Sequence, residues 1–129
     1  MAAEDSIQFQ AQARRRWRQL GKELQADMAD LDQRGGGALF AQPDRTQYRV
    51  TNAASGLELS VVADFVAETV RYQYTPVATM NAGTPEGGIL SMRECEGGTV
   101  EFYSADRRLT SEETRRVLLE PLLPPAEAA

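Results

Sequence analysis

The sequence contains no histidine, and this absence removes much of ordinary enzyme chemistry. Without imidazole there is no Ser-His or Cys-His nucleophile pair, no histidine metal ligand and no side chain that ordinarily titrates between about pH 5 and 8. Cysteine occurs once, as Cys95, so the chain has no internal disulfide and no cysteine cluster for zinc. Any catalysis would depend on carboxylates, tyrosine, arginine, serine or threonine.

Long apolar runs are missing as well. No stretch approaches the roughly 18 consecutive apolar residues of a membrane span. The start, MAAEDSIQFQ, lacks the basic segment and apolar core that a secretory signal requires. We therefore expect a cytoplasmic protein that does not associate with a membrane.

Positive charge is scarce, because 14 Lys and Arg residues stand against 19 Asp and Glu residues and leave a net charge of −5. An acidic chain repels phosphate backbones, so we expect no nucleic-acid binding and regard a basic protein as the favoured charged partner. The 129 residues and the hydrophobic share of 42% are typical of one soluble domain. We expect an ordered core over about 5–123 and a disordered tail over 124–129.

A long amphipathic helix is predicted near the start of the chain. Its apolar residues recur every three or four positions, close to the helical period of about 3.6. Asp5 or Ser6 is predicted to cap the helix, and the run Gly35-Gly36-Gly37 is predicted to end it. The apolar stripe consists of Phe9, Ala13, Trp17, Leu20, Leu24, Met28 and Leu31.

The stretch RRRWR surrounds the only tryptophan with four arginines. Trp17 lies on the apolar stripe and is predicted to be buried, whereas Arg14, Arg15 and Arg18 lie on the solvated side. A plain solvated face is the favoured interpretation, and a phosphate-binding face is disfavoured by the acidic total. A protein-binding face is the third possibility.

The order of charges along this helix motivates that third possibility. Cations are concentrated in residues 14–22 and anions in residues 23–32, so the helix does not neutralise itself along its length. An antiparallel second copy would neutralise it, which suggests a homodimer. The alternative is that the sheet supplies the counter-charges.

The middle of the chain alternates with period 2, which predicts antiparallel strands. The segments 47–52 and 57–63 form a hairpin in which Val50 lies opposite Leu59, and the segment 69–75 is a third strand. A slip of one residue would expose every apolar side chain, so this register is well specified.

A second hairpin joins the segments 87–95 and 99–104. The three-residue loop 96–98 is preferred over a two-residue loop because it pairs Arg93 with Glu101 and gives one continuous apolar face. A short first strand at residues 39–40 is a weaker prediction.

A capping box at Thr110 and Glu113 predicts a second, short helix. The predicted fold is therefore α+β, a single twisted antiparallel sheet of four or five strands arranged as a meander. The long N-terminal helix and the short C-terminal helix pack on one face of this sheet.

The connection DFVAE brings Phe65 and Val66 to the tip of a hairpin, where polar residues are expected. The favoured interpretation is that the tip folds back onto the first helix or that the strand continues through a bulge. The alternative is that the tip forms an exposed apolar contact for a partner. The candidate partner-binding residues are Phe65, Val66, Arg14, Arg15 and Arg18.

The polar face of the sheet offers a second candidate site for a small anion or a peptide, with Arg71, Arg93 and Tyr103 as its ligand-binding residues. The long connection 76–86 either is plainly flexible, which is the favoured interpretation, or takes part in binding and helps to form this ligand site. The sequence does not determine whether Arg71 and Arg93 converge, because the strand order is open.

No phosphate-cradling loop, dinucleotide motif, repeat or metal-ligand cluster occurs in the sequence, so we predict no catalytic residue, metal or cofactor. The favoured function is a self-associating protein-interaction module of an adaptor, chaperone-like or inhibitor-like kind. A small-ligand-binding protein that uses the polar sheet face is the alternative. A carboxylate-based enzyme is less favoured, because no pair of carboxylates is singled out by its spacing.

Overall fold

The structure is a computed structural model that describes residues 2–35, 37–77 and 84–123. The predicted disordered tail, 124–129, lies outside these residues. Helix α1 is followed by seven strands and then by helix α2, with short 3-10 turns at Glu96–Gly98 and Glu120–Leu122. The elements are α1 (Ala2–Gly35), β1 (Ala38–Asp44), β2 (Gln47–Asn52), β3 (Leu57–Asp64), β4 (Thr69–Pro76), β5 (Gly88–Glu94), β6 (Val100–Ser104), β7 (Arg107–Arg108) and α2 (Ser111–Leu119).

The seven strands form one sheet in sequential order, and each pairs antiparallel with the next. This confirms the α+β class and the meander, while the predicted count of four or five strands is wrong. The two strands beyond the five firm predictions are β1, which is longer than the weakly predicted segment 39–40, and β7, which has only two residues. Alternation of apolar and polar residues does not predict either strand, because most side chains of β1 and both side chains of β7 are exposed.

Helix α1 begins at Ala2, before the predicted cap at Asp5 or Ser6. Its apolar stripe is buried as predicted, with Trp17, Leu20 and Leu24 in the core. The helix packs against both β1 and β6, which lie near opposite edges of the sheet. The sheet therefore curves around α1. Neither described helix is long and apolar enough to cross a membrane.

The predicted registers are confirmed in both hairpins. Val50 lies opposite Leu59, and Arg93 lies opposite Glu101. In the loop 96–98, Gly97 and Gly98 have φ values of 85° and 81°, a backbone region that side chains other than glycine rarely occupy. This explains why the loop of the second hairpin contains two glycines.

Helix α2 begins with the predicted capping box, in which Thr110 accepts from the Glu113 amide and Glu113 accepts from the Thr110 amide. The Tyr74 hydroxyl donates to the Leu118 carbonyl oxygen at 2.8 Å, and the Asn52 side chain donates to the Leu122 carbonyl oxygen. Because Tyr74 and Asn52 belong to the same sheet face as the α1 contacts, both helices cover one face, as predicted.

Trp17 fixes α1 to the start of the sheet. Its ring stacks on Tyr48 with 4.1 Å between centroids, and its Nε1–H donates to the Arg45 carbonyl oxygen at 2.8 Å. The Tyr48 hydroxyl donates back to the Trp17 carbonyl oxygen at 2.8 Å, and burial raises the pKa of Tyr48 to about 12. A Cβ atom on Gly21 would lie 2.4 Å from the Tyr48 ring, so this contact requires glycine.

Candidate functional site

The connection between β3 and β4 separates its two apolar residues. Phe65 is buried and folds back onto α1, where the Arg14 guanidinium lies 4.5 Å from the ring centroid. Val66 points outward and is 87% exposed. The Asp64 carboxylate shapes the turn by accepting hydrogen bonds from the amides of Val66 and Ala67. The tip therefore folds back onto the first helix at Phe65, while contact of the exposed Val66 with a partner stays a prediction.

A cavity of about 350 Å³ opens beside Phe65, where α1 passes the connections β1–β2 and β3–β4. Its floor is aromatic and its rim is cationic. We call this cavity the arginine pocket. It is lined by Arg14, Trp17, Arg18, Gln42, Arg45 and Phe65.

Local structure brings the three arginines together. Arg14 and Arg18 are four residues apart on α1 and therefore lie on the same side of the helix. Arg45 comes from the turn between β1 and β2, and its carbonyl oxygen is held by Trp17. Asp44 stabilises this turn by accepting from the Thr46 amide at 2.8 Å. Hydrogen bonds within the chain therefore hold the turn that presents Arg45 to the pocket.

The electrostatics of the pocket are one-sided. Within the described part of the chain, Arg14, Arg18 and Arg45 take no part in the ion pairs, and no carboxylate lines the cavity. The nearby carboxylates of Asp44 and Asp64 accept hydrogen bonds from backbone amides instead. The pocket thus carries three positive charges in a protein whose net charge is −5.

Two further cations extend this charge along α1. Arg15 and Lys22 are exposed, and neither pairs with a carboxylate among the residues the structure describes. We call Arg14, Arg15, Arg18 and Lys22 the basic stripe. The predicted partner-binding arginines all belong to it, and their role in binding stays a prediction.

The acidic half of α1 is compensated within the chain. Asp27 pairs with Arg115 of α2 at 3.2 Å, and Glu23 lies 3.7 Å from Arg16. Asp30 pairs with Arg34 at 3.0 Å. Asp32 accepts a hydrogen bond from the amide of Ala38. The charge argument for an antiparallel homodimer therefore weakens, because the carboxylates that would meet a second basic stripe already have partners.

Sequence reasoning missed two arginines that matter here. Arg16 is 6% exposed, and it contacts Glu101 at 3.2 Å and the Phe102 ring at 4.8 Å. Its position three residues after Ala13, on the apolar stripe, was the available signal. Arg45 was missed because β1 was underestimated, although the run PDRT is a recognisable turn signal.

The three residues of the second candidate site do not all converge. Arg93 lies over the Tyr103 ring at 4.8 Å and donates to the Ala105 carbonyl oxygen. Arg71 pairs with Ile89, which precedes Arg93 by four residues or about 13 Å along β5. The structure thus brings Arg93 and Tyr103 together and leaves Arg71 apart.

Arg71 instead borders a cavity of about 590 Å³ on the uncovered sheet face, between the partly exposed side chains of Val62 and Ile89. Most of the connection 76–86, which was expected to complete a ligand site here, lies outside the described residues. The small-ligand interpretation therefore stays a prediction.

The groove between α1 and α2 has a volume of about 250 Å³ and contains the one acidic residue with a raised pKa among the described groups. Burial raises the pKa of Asp27, and Arg115 opposes the shift with contacts of 3.2 and 3.4 Å to the two carboxylate oxygens. The carboxylate is thus engaged by an arginine, as expected of a structural ion pair between helices.

Comparisons of this chain with protein-family models, with curated proteins and with solved structures yield no match. The functional interpretation therefore depends on geometry and charge. The arginine pocket combines buried aromatic residues with three arginines that have no carboxylate partner in the described part of the chain.

Proposed function

We propose that this protein is a non-enzymatic protein-interaction module that recognises an acidic segment of a partner protein. The recognition surface consists of the arginine pocket, the basic stripe and Val66. The observation that carries the proposal is a set of three arginines around one cavity, none of which pairs with a carboxylate of the described residues. A basic partner was expected from the net charge, but the local charge at the binding surface determines which partner fits.

The cost of this arrangement to the free protein supports a binding role. Arg14 and Arg18 repel each other across one helical turn by a few tenths of a kcal/mol. Arg45 adds a third like charge, although the chain contains 19 acidic residues that might have lined the cavity. An acidic ligand would relieve this repulsion. The contact of Arg14 with the Phe65 ring also pre-organises one guanidinium for binding.

An exposed apolar residue next to the pocket favours a protein as the source of the acidic group. Val66 is 87% exposed and is the direct neighbour of Phe65, which lines the pocket. An apolar side chain beside a cationic pocket suits a segment in which an acidic residue is followed by an apolar residue. A nucleic acid offers no such apolar side chain, and the excess of negative charge on the rest of the protein repels it.

The single tryptophan gives a direct test. Uniformly 15N-labelled protein has one indole N–H signal, and Trp17 lines the pocket. Titration with a peptide of alternating glutamate and leucine residues is expected to shift this signal. The affinity should fall as salt is added, because exposed charges are screened.

Matched variants make the test specific. The double variant Arg14→Gln, Arg18→Gln is expected to lower the peptide affinity by at least about tenfold. The control is Arg116→Gln, which removes an exposed helical arginine far along the chain from the pocket. Equal affinities of the double variant and the control would contradict the proposal.

A further inference from the structure

The side chains that line the arginine pocket reach one cavity from two sides. Arg14 and Arg18 approach from α1, Arg45 from the turn after β1, and the Gln42 amide from β1 itself. Side chains one helical turn apart have Cβ atoms separated by only about 5 to 6 Å. Donors that approach from two sides in this way suit one compact group with several acceptor oxygens better than an extended run of carboxylates.

Charge matching distinguishes among compact groups. A single carboxylate neutralises one of the three guanidinium groups and offers two oxygens. A phosphate monoester carries about −1.5 to −2 charges at pH 7 and offers three oxygens, which arginine binds in a bidentate manner. With three arginines and no carboxylate among the described residues of the lining, the dianion leaves the smaller uncompensated charge.

The floor of the pocket strengthens the attraction between the arginines and a phosphate group. Trp17 and Phe65 are 2% and 6% exposed, so the cavity is backed by buried aromatic rings rather than by water. Electrostatic attraction is stronger next to such a low-dielectric wall. The cavity of about 350 Å³ is larger than a phosphate group, which leaves room for the side chain that carries it.

From these observations we infer that the arginine pocket binds a phosphate monoester, and that its source is a phosphorylated side chain within the acidic segment of the partner. This inference rests on the proposed function, because it names the group that the same surface recognises. Phosphorylation of the partner then controls the affinity of the complex.

The test compares three probes that bind to the intact labelled protein. They are an acidic peptide with one phosphotyrosine, the same peptide with unmodified tyrosine, and phenyl phosphate. The phosphopeptide is expected to bind at least about tenfold more tightly than the unmodified peptide.

The phosphopeptide should also bind more tightly at pH 7.5 than at pH 5.5, since the second pKa of a phosphate monoester is about 6. The titratable side chains that line the pocket are arginines, which stay charged over this range, and the chain has no histidine.

Two variants assign the effect to the pocket. Arg45→Gln is expected to bring the affinity for the phosphopeptide down to that for the unmodified peptide. It leaves the hydrogen bond from Trp17 intact, because that bond uses the Arg45 carbonyl oxygen. Lys22→Gln removes a charge of the basic stripe outside the pocket and should lower the affinities for both peptides by the same factor.

The outcomes separate the inference from the proposed function. Equal affinities of the two peptides would overturn the inference and leave the interaction module in place, whereas no binding of either peptide would overturn both. If phenyl phosphate binds as tightly as the phosphopeptide, the peptide contributes nothing to binding, and the inference that the phosphate belongs to a partner protein is wrong. Displacement of the phosphopeptide by an equal concentration of double-stranded DNA would also contradict the assignment of the phosphate to a partner protein.

Discussion

Four arginines within five residues of sequence have different surroundings, and helical position explains the difference. Arg16 follows Ala13 by three residues and therefore points toward the sheet, where it is almost fully buried. Arg14 lies at the pocket over Phe65, and Arg15 is exposed. Hydrogen bonds offset the cost of burying Arg16, because Glu101 and the Ser111 hydroxyl accept from its guanidinium at 3.2 and 3.1 Å.

Replacement of Arg16 should therefore be costly. We expect Arg16→Ala to lower the free energy of unfolding by about 2 to 3 kcal/mol, because it removes charged hydrogen bonds and the packing on Phe102. The neighbouring control Arg15→Ala should change stability by less than about 0.5 kcal/mol. Urea denaturation of both variants measures the difference. Similar midpoints for the two variants would contradict a structural role for Arg16.

Gly21 gives a second test at the scale of one residue. A methyl group there would meet the Tyr48 ring at 2.4 Å, and that ring is stacked on Trp17. We expect Gly21→Ala to destabilise the protein by about 1 to 3 kcal/mol, despite the better helix propensity of alanine. Gly35→Ala, at the end of the same helix with nothing within 4 Å, should be neutral or slightly stabilising. A thermal midpoint of Gly21→Ala at or above that of the wild type would exclude this close contact.

At the scale of elements, the two periodicities predict most of the fold. The apolar stripe of α1 and the alternation in β2, β3 and β4 identify which faces are buried, because period and burial are linked by local geometry. The register of the second hairpin follows from one chemical choice, the pairing of Arg93 with Glu101. The strand β7 has two exposed arginines and no apolar alternation, so its pairing depends on the turn that follows β6 and cannot be read from a pattern.

The candidate site is less predictable than the elements that build it. Arg14 and Arg18 share a helix face, so their proximity is visible in the sequence. The approach of Phe65 and Arg45 to the same helix depends on how far the sheet curves around α1. Curvature arises from the sum of many strand twists and no local motif encodes it. The sequence thus predicts that Arg14 and Arg18 lie together, whereas the approach of Phe65 and Arg45 depends on the tertiary structure.

The capping box of α2 provides a test at this scale. The hydrogen bond from the Thr110 amide holds the pKa of Glu113 below its ordinary value of 4.5. Because the folded-state pKa is lowered, the contribution of Glu113 to stability is present above pH 4.5 and is lost as the pH falls through the lowered value. Glu113→Gln should therefore be less stable than the wild type at pH 6, and the difference should narrow toward about pH 3. A difference that stays constant over this range would contradict the assignment.

At the scale of the whole molecule, charge is strongly divided. The basic stripe and Arg45 account for five of the 14 cations, so the rest of the sequence contains nine cations and 19 anions, a net charge of −10. The burial of the α1 stripe leaves the cations on the outer side of the helix, and intrachain pairs occupy the acidic half. The fold thereby places a cationic surface along α1 in a protein whose net charge is −5.

This division predicts how the protein associates with itself. The basic stripe of one copy can meet the acidic remainder of another, a contact between different surfaces that does not close into a two-fold dimer. Exposed charges attract over about 30 Å at 0.01 M salt and only about 3 Å at 1 M. We therefore expect light scattering to give an average mass above 14.2 kDa at low salt and the monomer value at high salt.

The double variant Arg15→Gln, Lys22→Gln should reduce this association at low salt. A dimer that persists at 1 M salt would require an apolar interface elsewhere on the molecule, because charge attraction does not survive at that ionic strength.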